Sequence, residues 1–216
     1  MKPSTIQIYK ELLDRYPALT DNENQIFLAI EAMIASFNAG NKLLACGNGG
    51  SAADSEHIVG ELMKAFKLPR FLDKETQDRI RAMFPEEAEG MIRNLQRAVP
   101  AISLVSQSAL ITAFSNDQSA QYVFAQQVMS YGKPGDILLA ISTSGNSENV
   151  LHAARMARLR QVKVIGLTGM SGGILKGLSD ITICVPSTIT YEIQEYHLPI
   201  YHCLCACVEN EIFGEK

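Results

Sequence analysis

The chain has 216 residues, of which 47% are hydrophobic and 19% charged, with a net charge of −4. That balance supplies a sizeable core and excludes wholesale disorder, and an acidic pI near 5.6 argues against nucleic acid, whose phosphate backbone wants a basic footprint. No apolar run reaches bilayer length, no secretory signal pattern opens the chain, and five cysteines, three of them crowded at Cys203, Cys205 and Cys207, suit a reducing cytoplasm rather than a disulfide framework.

In chain order, residues 1–40 read as two helices. Thr20 and Glu23 have the spacing of a capping box. Ile26, Phe27, Ile30, Met33, Ile34 and Phe37 then recur at helical period, and Gly40 supplies a stop. From Asn41 the pattern alternates. Short apolar runs at Lys42–Cys46, Ala101–Val105, Asp136–Ile141, Val162–Leu167 and Ile181–Val185 read as strands. A helix follows the first run through Phe66, another runs from the loop after the third to about Arg160, and Tyr191–Ile212 is a long closing helix. Short apolar strands separated by helices predict a parallel sheet covered on both faces, with right-handed crossovers and ligands at the carboxyl ends of the strands. Residues 68–98 break the rhythm. They are rich in charge and carry Pro69, Pro85 and Gly90. They read as an insertion over the site or at a subunit contact, with Pro85–Ala98 able to form a helix.

Four features carry chemistry. Gly47-Asn48-Gly49-Gly50-Ser51 joins a strand to a helix, so its backbone can turn tightly and offer the helix N–H groups to an anion. It lacks the Gly-Lys-Ser/Thr of a Walker loop. Ser142-Thr143-Ser144-Gly145-Asn146-Ser147 packs four hydroxyls into six residues at a second strand–helix junction. One serine would suffice as a cap, whereas hydroxyls and N–H groups together satisfy phosphate oxygens. His57 and Glu61 stand four apart on one helix face, a spacing that serves metal binding, proton transfer or a plain surface pair. Lastly, Gln194, His197 and His202 bring proton-competent groups into an apolar helix, where unpaired burial is costly. Gln194 and His202 fall about 80° apart on a straight helix, His197 falls closer to Gln194, and Pro199 can re-aim either histidine. Spacing alone does not choose between them.

Together these segments, with Leu167-Thr168-Gly169, Gly172-Gly173 and Ile193-Gln194-Glu195, resemble the sugar isomerase (SIS) domain, and within it the phosphoheptose isomerase family. The likeness runs from the N-terminal helices to the last helix and omits most of residues 68–98. It implies one SIS domain over residues 1–216, a three-layer αβα sandwich with a five-stranded parallel sheet in flavodoxin-like order. It implies an isomerase that interconverts a ketose and an aldose phosphate, sedoheptulose 7-phosphate and glycero-manno-heptose 7-phosphate, through an enediol. Glu61 and His202 would do the acid–base work. Asn48, Gly49, Ser51, Asn116, Asp117, Ser142, Thr143, Ser144, Ser147 and Gln194 would bind the substrate. His57, Glu61, Gln194 and His202 would bind zinc. The resemblance also implies a homotetramer or homodimer. The other reading, a non-catalytic phosphosugar-binding or replication-initiation regulatory protein, has no need of all four zinc-site residues. Ala65 stands where the family carries an arginine, and Tyr191 where it carries a polar residue, so substrate contacts there differ from the family's.

Overall fold

A computed structural model describes residues 1–215. Five parallel strands, β1 (Leu43–Cys46), β2 (Ala101–Ser103), β3 (Ile137–Ser142), β4 (Lys163–Thr168) and β5 (Ile181–Cys184), form one sheet in the order β2-β1-β3-β4-β5. β1, β3 and most of β4 are buried throughout, which is why they read as unbroken apolar runs rather than alternating ones.

Helices α1 (Pro3–Arg15), α2 (Glu23–Asn38), α3 (Gly50–Met63) and α10 (Thr190–Phe213) pack on one face around Ile30, Met33, Ile58, Leu62 and Leu204. Helices α7 (Val123–Tyr131), α8 (Glu148–Leu159) and α9 (Gly173–Leu178) cover the other, around Phe124, Val128, Val150, Ala154 and Leu175. The three-layer sandwich and the strand order are those the sequence and its resemblance imply. Asp136 pins the centre of the sheet. Its buried carboxylate accepts the Lys42 N–H at 3.0 Å and the Lys133 N–H at 2.9 Å, and pairs with the Lys42 ammonium. That fixes the register in which Leu43 lies opposite Ile137.

Several local expectations change. The capping box does not form. Residues Pro17–Asn22 are a 3-10 turn, and the Thr20 hydroxyl donates to the Pro17 carbonyl, so α2 begins at Glu23 without a side-chain cap. The helix after the glycine loop stops at Met63, three residues short of Phe66, because Lys64 is extended. Residues 68–98 hold two short helices, α4 (Lys74–Met83) and α5 (Ala88–Asn94), the first capped by Asp73. Between β2 and β3 the chain forms α6 (Ser108–Phe114), a π turn, a 3-10 turn and α7, elements absent from the sequence expectation.

The insertion is rooted, not loose. Glu209 on α10 accepts the backbone N–H groups of Phe66, Lys67 and Leu68 at 2.7–3.1 Å and the Arg70 Nε–H at 2.8 Å. Arg70 is fully buried and donates onward to the carbonyls of Leu62 and Glu61, the last turn of α3. Removing one partner of such a pair strands a buried charge. Glu209→Ala is therefore expected to destabilise the fold by about 3–5 kcal/mol, whereas Arg70→Met/Glu209→Leu, which removes the stranded charge but leaves the Phe66, Lys67 and Leu68 N–H groups without their acceptor, should recover only part of that loss. Urea unfolding midpoints check this, and a Glu209→Ala loss below about 1 kcal/mol would contradict it.

Candidate active site

The strand order places β1 beside β3, so the loops leaving their carboxyl ends are neighbours. Together they frame a cleft of about 320 Å³ lined by Asn48, Gly49, Gly50, Ser51, Ile141, Ser142, Thr143, Ser147, Thr190 and Gln194. Gly49 opens α3 with φ +57°, a left-handed value that disfavours a side chain. A Cβ on Gly50 would come within 2.5 Å of the Gln194 amide nitrogen, so α10 sits hard against the first turn of α3. Across the cleft the Ser142 and Ser147 hydroxyls lie 3.0 Å apart. The N-terminus of α3 approaches from one face of the sheet and that of α8 from the other, and both dipole ends favour an anion.

Two further sets of contacts hold these loops. Asn48 and Asn149 exchange reciprocal amide hydrogen bonds of 2.8 and 2.9 Å, tying the glycine loop to the first turn of α8. The loop after β4 supports the serine loop from below: Gly169 N–H donates to the Thr143 carbonyl and Leu175 N–H to the Gly145 carbonyl. A Cβ on Gly145 would lie 2.1 Å from the Gly172 carbonyl oxygen, which explains glycine there. Asn149 and Thr190 were absent from the sequence expectation. Asn149 sits two residues beyond a motif that drew attention by its hydroxyls, and nothing in its own spacing distinguishes it.

Not every expected residue lines the cleft. Ser144 is exposed and accepts the Asn146 N–H. Asn116 and Asp117 lie on the exposed π turn, bonded to each other, and neither is among the residues that line the cleft. No residue of the insertion lines it either.

Helices α3 and α10 run side by side away from the cleft, and their seam gathers the proton-competent groups. His57 Nε2 lies 3.3 Å from Glu61 Oε1, and the Lys64 ammonium lies 2.9 Å from Glu61 Oε2. The ring of His202 meets that of His57 at a centroid distance of 5.0 Å, nearly perpendicular. His202 is half-buried, and desolvation, followed by the neighbouring His57, lowers its pKa. Tyr201, also absent from the sequence expectation, contacts His57 Nδ1 at 3.1 Å and donates to Asp54 Oδ1 at 3.2 Å. Burial raises the Asp54 pKa.

The helix runs unbroken through Pro199, and it separates the two histidines that spacing left unresolved. His202 faces His57. His197 is wholly buried, and neither of its ring nitrogens has a hydrogen-bond partner among the described residues.

In donor chemistry, His57, Glu61 and His202 fit a zinc ion: two imidazoles and a carboxylate, with His202 Nε2 buried and unpaired among the described residues. They are not drawn together to ligand range, since among the described residues no group of three or more His, Cys, Asp or Glu could hold a metal. Gln194 lies at Gly50 instead, about 12 Å of helix rise from His202.

Comparison with known proteins bears directly on this site. The SIS domain model matches residues 8–101 and 77–169. The phosphoheptose isomerase of Shewanella sp. (strain ANA-3) is 38% identical over 218 residues, covering 100% of this chain and 96% of the relative. Among solved structures, a phosphoheptose isomerase from Francisella tularensis superposes with a TM-score of 0.73 at 35% identity, covering 96% of this chain and 93% of that one. The phosphoheptose isomerase of Neisseria gonorrhoeae gives a TM-score of 0.71 at 31% identity, with coverage of 96% and 94%.

His197 generates a pH prediction. Burial pushes its pKa down to about 4; the nearby Thr168 backbone opposes the shift without making a well-formed hydrogen bond. The unfolded chain binds a proton near pH 6.5 that the folded chain refuses until about pH 4. The stability due to neutral His197 is therefore complete above pH 6.5 and is lost as pH falls toward 4, by about 3 kcal/mol. His197→Leu should lose that much less between pH 7 and pH 4 in urea unfolding. Identical pH slopes for wild type and variant would contradict this.

Proposed function

Because the chain belongs to the phosphoheptose isomerase family of SIS-domain proteins, we propose that this phosphosugar isomerase interconverts sedoheptulose 7-phosphate and glycero-manno-heptose 7-phosphate. The observation that carries the reading is spatial. A cleft suited to a phosphate lies at the start of the α3–α10 seam, and Glu61, His57 and His202 lie further along the same seam. A long, linear phosphosugar matches that layout, with the phosphate on the loops and the carbonyl end at the acid–base groups. Ser51, Ser142, Thr143 and Ser147 donate to the phosphate, while Asn48, Gly49 and Gln194 border it. Ser144, Asn116 and Asp117 are exposed and are assigned to the rim, where a neighbouring subunit completes the site.

The reaction moves two protons and no heavy atoms. Glu61 removes the proton from C1 of the ketose, and the C1–C2 double bond of an enediol forms as the carbonyl oxygen gains a proton. Glu61 then returns a proton to C2, while the C1 hydroxyl loses its proton and becomes the aldehyde. His202 moves the proton between the two oxygens. Its depressed pKa favours the neutral ring, which donates at one nitrogen and accepts at the other. Zinc is part of the proposal: His57, Glu61 and His202 would hold it, Glu61 keeping its second oxygen as the base and His202 keeping one N–H to donate. When bound, the ion would polarise the carbonyl.

We assign the enzyme to the cytoplasm as a homotetramer or homodimer acting on a free sugar phosphate, with neither nucleic acid nor membrane as a partner. All five cysteines are unpaired, in keeping with a reducing compartment. No helix among the described residues is long and apolar enough to cross a membrane.

Glu61→Gln keeps shape and hydrogen bonding but removes the base, and is expected to lower turnover of sedoheptulose 7-phosphate by about 10²–10⁴-fold. His202→Gln should do similar damage, and the double variant should be little worse than either, as for residues acting as a unit. His197→Gln serves as the mild control. Normal turnover by Glu61→Gln would remove Glu61 as base, and a dead His197→Gln beside an active His202→Gln would reverse the histidine assignment.

A further inference from the structure

We propose that Tyr201 and Asp54 are positioning residues that set which ring nitrogen of His57 carries the proton. The inference rests on the reading above that His57 and Glu61 belong to the active site. Neither the motifs nor the relatives' names assign a role to Tyr201 or Asp54.

Tyr201 is 1% exposed, and its hydroxyl has one proton to give. It lies 3.2 Å from Asp54 Oδ1 and 3.1 Å from His57 Nδ1. A carboxylate can only accept, so the hydroxyl proton goes to Asp54. The hydroxyl oxygen then faces His57 as an acceptor, and Nδ1 must be the nitrogen that carries hydrogen. In the neutral ring this leaves Nε2 bare.

Bare Nε2 points at Glu61 Oε1, 3.3 Å away, which is also an acceptor. Two lone-pair donors thus converge on one point, while Lys64 engages the other carboxylate oxygen. Such a pair cannot satisfy itself. It holds a place for something positive between its members, whether a proton in transit or a cation. The usual partner of a ligating imidazole, an acceptor on its far nitrogen, is here the Tyr201–Asp54 pair. Without the Tyr201 hydroxyl, His57 gains by moving its proton to Nε2 and donating to Glu61, which closes the place and occupies the proposed base.

The test is nitrogen NMR of ¹⁵N-histidine-labelled, metal-free protein at about pH 8.5, above the ordinary imidazole pKa, with the His57 signals identified from the His57→Gln spectrum. Wild type is expected to show His57 protonated at Nδ1. Tyr201→Phe, which removes one oxygen from a buried ring, should move the proton to Nε2 and lower kcat about 10- to 100-fold, leaving KM unchanged because the phosphate cleft is untouched. A wild-type His57 protonated at Nε2 overturns the proposal without any variant, and so does a Tyr201→Phe spectrum with the tautomer unchanged. The spectrum needs no turnover. If the substrate reading fails instead, wild type converts no heptose phosphate while the tautomer result stands.

Discussion

The site depends on β1 lying next to β3 while their connections depart in opposite directions. β1 leads through α3 to β2 on one side, and β3 leads through α8 to β4 on the other. Right-handed crossovers that move in opposite directions must carry their helices over opposite faces of the sheet. The two loops therefore part from one another and leave a crevice between them, the place where open α/β sheets bind ligands. The glycine and serine loops are the two lips of that crevice. Asp136, which fixes the pairing of β1 with β3, thereby fixes the distance between them.

The same geometry explains why the acid–base groups stand at some remove from the phosphate. α3 starts at the crevice and runs away from it, so Ser51 and Glu61 mark opposite ends of one rigid element. α10 is pressed against it at Gly50 and again at His57, and contributes Gln194 near the cleft and His202 beyond. The far end of the pair is fastened by Glu209, which reaches from α10 to the chain leaving α3 and to Arg70. Arg70 in turn holds the Glu61 and Leu62 carbonyls. The absence of the family arginine at Ala65 is not made good by Arg70, whose guanidinium is spent on Glu209 and these carbonyls. Lys64 is the cation that the chain presents to Glu61.

Much of this was legible in the sequence because it rests on local rules. Apolar runs announce buried parallel strands, and Gly47–Ser51 and Ser142–Ser147 announce strand–helix junctions that can meet an anion. What stayed hidden depends on long-range packing. Thr20 and Glu23 have capping spacing, but Pro17 favours a 3-10 turn, and the cap geometry is lost. Helix α6 buries no residue, so no core-facing period announced it, whereas α7 buries Val123, Phe124 and Val128 at helical spacing, a signal that went unused. The choice between His197 and His202 turned on which side of α10 meets α3. Tyr201 meets Asp54 and His57 across 147 and 144 residues, and Asn149 meets Asn48 across 101, separations at which residue spacing says nothing.

The central claim is that phosphate cleft and acid–base seam serve one proton-transfer isomerisation. Incubating the purified protein with sedoheptulose 7-phosphate in D₂O and examining the product by mass spectrometry and NMR tests it most directly. The account expects an aldose heptose 7-phosphate carrying solvent deuterium on C2, since the carbon-bound proton passes through Glu61. No conversion by a folded wild-type protein would contradict it, and so would C1-to-C2 hydrogen transfer that persists undiminished in Glu61→Gln, where no carboxylate is left to carry the proton.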